Sequence, residues 1–181
     1  IINDRHHARL RSYLDDARAR GATVSEVNPA GESLDGTRKM APTFVTDVTD
    51  EMTVMQDELF GPVLPVMTYR TLDDAIAYVD EHPRPLALYY FGHDAREVEH
   101  VVQRTVSGGT VINDLMLHVA LDDLPFGGVG PSGIGAYHGR DGFEAFSKKK
   151  PVVYQARLNA TALIAAPYGR VMEALLKVIL R

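Results

Sequence analysis

The sequence has 181 residues, of which 45% are hydrophobic and 24% are charged, and this composition is typical of a globular protein with a buried core. The formal net charge of -5 gives no electrostatic reason to expect a nucleic-acid partner. Cysteine is absent, which excludes a disulfide framework, a cysteine zinc site and a cysteine nucleophile within these residues. No apolar run approaches the ~20 residues that a membrane-spanning helix needs, so we expect no membrane partner and a cytoplasmic location.

The first predicted element is a helix over residues 6–21. Its apolar side chains share one helix face: Leu10, Tyr13, Leu14 and Ala17. Gly21 is well placed to end this helix, and the polar, turn-rich segment 31–39 then predicts an exposed loop. Because the chain opens on Ile1 rather than Met, we expect it to be the interior of a longer polypeptide.

Strands and amphipathic helices alternate through the middle of the sequence. The predicted elements are strands over 41–48 and 62–69, a helix over 71–82, a strand over 86–91, a helix over 94–108 and a strand over 109–114. Thr71 followed by Asp74 has the spacing of a capping box, and Asp94 and Gly108 mark the two ends of the second of these helices. Strands that alternate with crossover helices predict an α/β fold built on a parallel sheet.

A long glycine-rich loop replaces this alternation between residues 114 and 140. Long loops in compact domains are usually functional or disordered. After the loop, residues 141–150 are predicted to form a short helix, 151–158 a strand and 168–181 an amphipathic tail helix. We expect the apolar side of the tail helix to pack on the protein rather than on a membrane.

Within this loop, Gly128, Gly130 and Gly133 have the G-x-G-x-x-G spacing of a dinucleotide-binding turn. Such a turn joins a strand directly to a helix, and an acidic residue that binds a ribose follows about 20 residues later. Here the glycines follow a loop, Pro131 and Gly135 interrupt what comes next, and no acidic residue ends a strand at that distance. The glycines are therefore interpreted as positions where the backbone turns or packs tightly, not as a phosphate site.

Two longer stretches are far more specific than this spacing. They are DELFGPVLPV over 57–66, and the stretch that runs from SGGTVIND to SKKKPV over 107–152. In length and order they resemble the C-terminal part of the aldehyde dehydrogenase superfamily. APTFVTDV also matches that family, while RPLALYYF and AYHG (136–139) resemble its class 3-like branch, which includes the coniferyl aldehyde dehydrogenases.

The resemblance implies the oxidation of an aldehyde to a carboxylic acid, with NAD or NADP as the hydride acceptor. In the family a cysteine thiolate attacks the aldehyde, an asparagine side chain holds the oxyanion, and a glutamate activates the water that releases the acid. These three groups precede the family segment seen here, so this chain resembles a C-terminal fragment and is expected to contain no catalytic residue. The implied organisation is part of the catalytic domain over 1–147, an oligomerisation strand over 148–158 and a tail with the amphipathic helix over 159–181.

The DELFGP motif carries the implied cofactor contacts. Glu58 matches the glutamate that accepts hydrogen bonds from the nicotinamide ribose, and Phe60 matches the aromatic residue beside the nicotinamide ring. Gly61 and Pro62 shape the turn that presents them. Taken alone, Glu58 would be interpreted as a solvated helix residue, and the whole motif is what favours the cofactor role.

Four other residues match positions that line the substrate funnel in the class 3-like branch: Val119, Ala120, Phe126 and His138. Asn113, at the end of a strand, is implied as a support for the active-site loops. His138 is equally well interpreted as a structural histidine bonded to backbone. Ala120 stands where a hydroxyl residue is common, which predicts a drier pocket suited to aromatic or apolar aldehydes.

The predicted C-terminal strand implies an assembly, because in the family it extends the sheet of a neighbouring subunit. We therefore expect a homodimer or a higher oligomer. The remaining polar clusters, which are the His6-His7 pair, Lys148–Lys150 and several aspartate pairs, are interpreted as solvated faces and caps, and no metal site is expected. Two alternatives stay open: a non-catalytic truncated homologue that acts as an assembly module, and a semialdehyde or acyl-CoA-forming dehydrogenase of the same fold.

Overall fold

The computed structural model describes residues 1–159, 161 and 165–180 of the chain. Residues 160, 162–164 and 181, which belong to the predicted tail, lie outside the described residues. The chain divides into two units, one made of Ile1–His82 with Asp94–Thr105 and the other of Pro83–His93 with the residues from Val106 onward. Both units combine helices with strands, and the α/β prediction is confirmed.

Helix α1 (Asp4–Ala19) anchors the first unit. It begins at Asn3, whose side chain accepts a hydrogen bond from the His6 N–H at 2.9 Å. Its predicted apolar face is buried at three positions: Leu10, Leu14 and Ala17. Gly21 follows with φ +94°, a conformation that favours glycine, and so it ends the helix as predicted.

The sheet of the first unit has the order β1-β2-β3, formed by Thr23–Glu26, Thr43–Thr46 and Val63–Pro65. β2 and β3 are parallel, as predicted, whereas β1 is antiparallel to β2. The sequence did not predict β1, because TVSE is short and three of its four residues are exposed. One buried cluster joins α1 to β2, β3 and the segment between those strands: Leu10, Leu14, Ala17, Val45, Val48, Met52, Val54 and Val63.

Helices α2 (Thr53–Gln56) and α3 (Leu72–Glu81) flank β3 in the sequence. The short α2 was not predicted. The capping box of α3 is confirmed, since the Asp74 N–H donates to Thr71 Oγ1 at 3.2 Å and the Thr71 N–H donates to Asp74 Oδ2 at 3.1 Å.

Helix α4 (Ala95–Arg104) begins after its predicted cap, Asp94, whose side chain accepts from the Arg96 N–H. The predicted end at Gly108 is wrong, because Thr105 already has extended backbone at φ -116° and ψ 155°. The Val101 carbonyl accepts from both the Thr105 N–H at 3.1 Å and the Thr105 hydroxyl at 2.8 Å, and these two bonds close the last turn of the helix.

The second unit contains the parallel strands β4 (Ala87–Tyr90) and β5 (Gly109–Ile112), both inside their predicted ranges. The long loop after β5 includes a four-residue helix, α5 (Leu117–Ala120), that the sequence pattern did not reveal, and a 3-10 turn at Gly130–Ser132. Helix α6 (Gly139–Ala145) begins two residues before the predicted range 141–150 and ends five residues before its end.

The C-terminal part differs from two expectations. Residues 151–158 form no strand with the described part of the chain, and their pairing with a second subunit stays a prediction. Helix α7 (Arg170–Ile179) forms as predicted, but it has no buried residue, and the expected packing on the protein is not seen in the described chain. None of the described helices is long and apolar enough to cross a membrane.

Candidate functional site

The glycine-rich stretch 127–135 packs backbone against backbone. A Cβ on Gly127 would lie 2.0 Å from the Gly135 carbonyl oxygen, and a Cβ on Gly128 would lie 2.2 Å from the Ser132 carbonyl oxygen. Gly130 has φ +61°, and it starts the 3-10 turn rather than an α-helix. These glycines are thus explained by close approach and turning, which agrees with the interpretation that they are not a phosphate site.

The segment 57–62, which we call the cofactor turn, connects α2 to β3 without regular secondary structure. Glu58 is exposed, and Phe60 is 81% exposed with φ +49°, a left-handed conformation that is rare for a bulky residue. A Cβ on Gly61 would lie 2.4 Å from Leu10 Cδ1, so the turn crosses α1 where glycine leaves enough room. The structure therefore presents a carboxylate and an aromatic ring two residues apart in the sequence, and both side chains are exposed.

Two polar side chains of α1 hold the cofactor turn. Arg9 Nη1 donates to the Glu58 carbonyl at 3.0 Å, and Arg9 Nη2 donates to the Leu59 carbonyl at 2.7 Å. The Tyr13 hydroxyl donates to the Asp57 carboxylate. Sequence reasoning missed both residues: Tyr13 was interpreted only as apolar, although its i,i+4 spacing from Arg9 puts the two on one helix face.

The N-terminus of α2, just before this turn, is capped by a residue distant in the sequence. Asp16 Oδ2 accepts from the Thr53 N–H at 2.9 Å and from the Thr53 hydroxyl at 3.0 Å, while Asp16 Oδ1 accepts from Arg20 Nε at 2.7 Å. The hydrogen bond from Arg20, and then that from the Thr53 N–H, hold the pKa of the Asp16 carboxyl below its ordinary value. Side chains of α1 therefore bind the chain at two places: at Thr53, where α2 begins, and at residues 57–59 of the cofactor turn.

In the second unit, Asn113 follows the last residue of β5 and has φ +58°. Its side-chain amide pairs with the backbone of Gly92, because Nδ2 donates to the Gly92 carbonyl at 2.8 Å and Oδ1 accepts from the Gly92 N–H at 2.8 Å. Asn113 thus joins the two loops that leave the carboxyl ends of β4 and β5, where α/β proteins commonly bind ligands.

Two of the candidate substrate residues meet in an aromatic cluster. The Phe126 and His138 rings are stacked with centroids 5.9 Å apart, and the Tyr137 ring stands edge-on to both. The Phe126 and Tyr137 backbones exchange two hydrogen bonds of 2.9 Å, which fix this pair. The other two candidates lie on α5, where Val119 is half-buried and Ala120 is exposed.

Two histidines of this cluster have unpartnered ring nitrogens. His138 has φ +83°, and its buried Nδ1 has no hydrogen-bond partner among the described residues. His118, which sequence reasoning missed, is only 7% exposed, and neither of its ring nitrogens has a partner in the described part of the chain. Its ring lies 5.5 Å from the Phe126 ring and 5.9 Å from the Tyr89 ring.

The chemistry of the exposed groups can be matched to a ligand. An exposed carboxylate accepts two hydrogen bonds from a vicinal diol, and an exposed phenyl ring offers a flat apolar face. Glu58 and Phe60 therefore fit the ribose and the ring of a nicotinamide nucleotide. The aromatic cluster combines ring faces and edges with imidazole nitrogens, which fits an aromatic molecule that carries a polar group.

Known proteins resemble this chain over most of its length. A coniferyl aldehyde dehydrogenase from a Pseudomonas species is 54% identical to it over 183 residues, which cover 99% of this chain and 38% of that protein. The structure of the substrate-bound state of Staphylococcus aureus AldH matches with a TM-score of 0.74 and 35% identity, covering 100% of this chain and 38% of that one. Betaine aldehyde dehydrogenase from Staphylococcus aureus in complex with NAD+ has a TM-score of 0.71 at 30% identity, covering 81% of this chain and 29% of that one.

These matches also show how much of its relatives' length the chain covers. It spans 36% to 38% of the length of three curated relatives with which it shares 52% to 54% identity. A family profile described as the aldehyde dehydrogenase family matches residues 1–152. The resemblance carried by the DELFGP motif and by the stretch 107–152 is confirmed: this chain belongs to the aldehyde dehydrogenase family.

Proposed function

We propose that this chain is the C-terminal part of a cytoplasmic NAD(P)-dependent aldehyde dehydrogenase that oxidises coniferyl aldehyde or another aromatic aldehyde to the carboxylic acid. The relative that is 54% identical over 99% of the chain is a coniferyl aldehyde dehydrogenase. The chain has no cysteine and spans 38% of that relative, so the nucleophile has to come from another part of the intact enzyme.

The cofactor turn is the single observation that carries this proposal. When bound, NAD or NADP accepts the hydride from the substrate. Glu58 would accept hydrogen bonds from the hydroxyls of the nicotinamide ribose, and Phe60 would pack beside the nicotinamide ring. Both side chains are exposed, and both are attached to backbone that α1 holds in place.

The aromatic cluster supports an aromatic substrate. Phe126 and His138 present stacked rings, and Val119 and Ala120 add apolar surface on α5. Rings of this kind favour a flat substrate through edge and face contacts worth roughly 0.5–1.5 kcal/mol each. Asn113 would keep the loops around this surface in position through its paired bonds to Gly92.

An oligomer is the second part of the proposal. Val152, Val153 and Tyr154 are 60%, 89% and 91% exposed, and residues 151–158 have no strand partner in the described chain. A strand with these exposed apolar residues is stabilised when it pairs with the sheet of another subunit. We therefore propose a homodimer or a larger homo-oligomer, which light scattering of the intact enzyme at micromolar concentration would detect.

The function is tested with the intact enzyme that contains this chain. We expect coniferyl aldehyde to be oxidised with reduction of NAD or NADP, at a higher kcat/KM than an aliphatic aldehyde of similar size. The Glu58→Gln variant should raise the KM for the dinucleotide about tenfold or more, because a charged hydrogen-bond acceptor becomes neutral.

Other outcomes would identify the alternatives. Absence of aldehyde-dependent reduction in the intact protein, together with no cysteine in its full sequence, would support the non-catalytic assembly module. Reduction that requires coenzyme A would support the acyl-CoA-forming dehydrogenase instead.

A further inference from the structure

The cofactor turn has a conformation that its own sequence does not stabilise. Phe60 has φ +49°, a left-handed backbone conformation that is unfavourable for a residue with a Cβ. Burial does not hold the ring, because the Phe60 side chain is 81% exposed. Residues 57–62 belong to no helix or strand, and the Pro62 carbonyl at the end of the turn accepts from the Thr43 N–H at 2.8 Å. The residues before Pro62, which include Phe60, therefore depend on contacts from outside the turn.

Arg9 makes the contacts that can do this. Its guanidinium donates to two consecutive carbonyls, those of Glu58 at 3.0 Å and Leu59 at 2.7 Å, and these belong to the peptide groups that lead into Phe60. Two bonds from one planar group fix both peptide planes relative to α1, and therefore fix the directions in which the Glu58 and Phe60 side chains leave the backbone.

Arg9 is itself held in a defined position. It precedes Leu10, which is fully buried in the core of the first unit. Its guanidinium carbon lies 5.2 Å from the centroid of the Tyr13 ring, and Nη1 also donates to the Tyr13 hydroxyl at 3.3 Å. Arg9 Nε is buried without a partner among the described residues, so the bonds of this side chain are concentrated on the turn and on Tyr13.

We propose that Arg9 is a positioning residue for the nicotinamide half of the dinucleotide, which it orders by clamping the carbonyls of Glu58 and Leu59. This inference rests on the proposed function of the cofactor turn. Tyr13 contributes a second, weaker attachment through its bond to the Asp57 carboxylate. Arg9 touches no ligand in this role and acts only through the backbone of the turn.

The test compares the intact wild-type enzyme with Arg9→Met, Arg9→Lys and Tyr13→Phe, and measures Kd for NAD+ and for ADP by calorimetry. ADP lacks the nicotinamide ribose and ring, so it does not reach the cofactor turn. We expect Arg9→Met to raise the Kd for NAD+ about tenfold, as for the loss of one or two charge-assisted hydrogen bonds. The Kd for ADP should change less than about twofold. Arg9→Lys should bind NAD+ more tightly than Arg9→Met does, because lysine can donate a hydrogen bond to one of the two carbonyls. Tyr13→Phe should raise the Kd for NAD+ by a smaller factor than Arg9→Met does.

Two controls separate this inference from the proposed function. Arg5→Met removes an exposed arginine from the same helix and should leave both Kd values unchanged. Glu58→Gln should raise the Kd for NAD+ but leave the Kd for ADP unchanged. If Glu58→Gln has no effect, the cofactor role of the turn fails; if Glu58→Gln weakens NAD+ and Arg9→Met does not, only the role of Arg9 fails.

Loss of NAD+ and ADP affinity in equal measure in Arg9→Met would also overturn the proposal, because it would indicate a general effect on the fold. Should Arg9→Met not fold, Arg9→Lys and Tyr13→Phe decide the question. NAD+ affinity equal to wild type in both of these variants would contradict the clamp.

Discussion

Backbone strain coincides with the residues that the sequence selected as candidates for the site. Among the described residues, the non-glycine positions with positive φ are Asp47, Phe60, Asn113, Met116 and His138. Three of these five, Phe60, Asn113 and His138, were chosen from family motifs. Such conformations cost about 1–3 kcal/mol each and persist where surrounding contacts enforce them, which is common at ligand sites.

The environment of a residue was harder to predict than its place in a sequence motif. Glu58 and Phe60 were selected as cofactor candidates because they lie inside one contiguous motif. His118 lies in the glycine-rich loop between residues 114 and 140. Its ring is buried against β5 and Phe126, and a sequence pattern does not reveal these contacts. Arg9 was missed for a similar reason, since its partners are 49 and 50 residues away in the sequence.

Gly109 gives a prediction at this scale. A Cβ at this position would lie 2.7 Å from Cδ2 of the buried His118 ring, so Gly109→Ala should lower the free energy of unfolding by about 1–3 kcal/mol through overpacking. Thermal unfolding of the intact enzyme measures this as a loss of several degrees in Tm. Gly169→Ala is the matched control, because no atom lies within 4 Å of the added Cβ; equal Tm values for the two variants would contradict the packing of His118 against β5.

At the scale of elements, local signals predicted the helices that carry their own caps. α3 has its capping box, α4 has Asp94 as its N-cap, and α1 is followed by Gly21. α2 was not predicted because its N-cap residue, Met52, makes no side-chain hydrogen bond and the cap comes from Asp16, 37 residues earlier. The strand β1 was missed because its pairing with β2, not its composition, defines it.

The cap that Asp16 provides predicts a dependence of stability on pH. The folded state lowers the pKa of the Asp16 carboxyl, so the stabilisation is fully present above the unfolded value near 4 and is lost as the pH falls through the lower, folded value. Asp16→Asn should therefore have a lower Tm than wild type at neutral pH, and the difference should shrink as the pH falls below about 4.

Asp15→Asn is the control for this measurement. Asp15 lies on the same helix, is 74% exposed and pairs only with Arg18 among the contacts described for its side chain. Its Tm difference from wild type should be small at every pH. A Tm difference for Asp16→Asn that does not change between neutral pH and pH 3 would contradict the ionised cap.

At the scale of the whole molecule, the chain spans 36% to 38% of the length of three curated relatives. These 181 residues contain no cysteine. The first unit contains a turn that Arg9 binds and that exposes the Glu58 carboxylate and the Phe60 ring. The second unit contains the aromatic cluster and two loops that the Asn113 side chain joins.

The most direct test of the cofactor turn is a crystal structure of the intact enzyme with NAD+ bound. We predict a Glu58 carboxylate oxygen at about 2.6–3.2 Å from a hydroxyl of the nicotinamide ribose, and the Phe60 ring in contact with the nicotinamide. An NAD+ molecule whose ribose makes no hydrogen bond to Glu58, with Phe60 away from the nicotinamide, would contradict the role proposed for this turn.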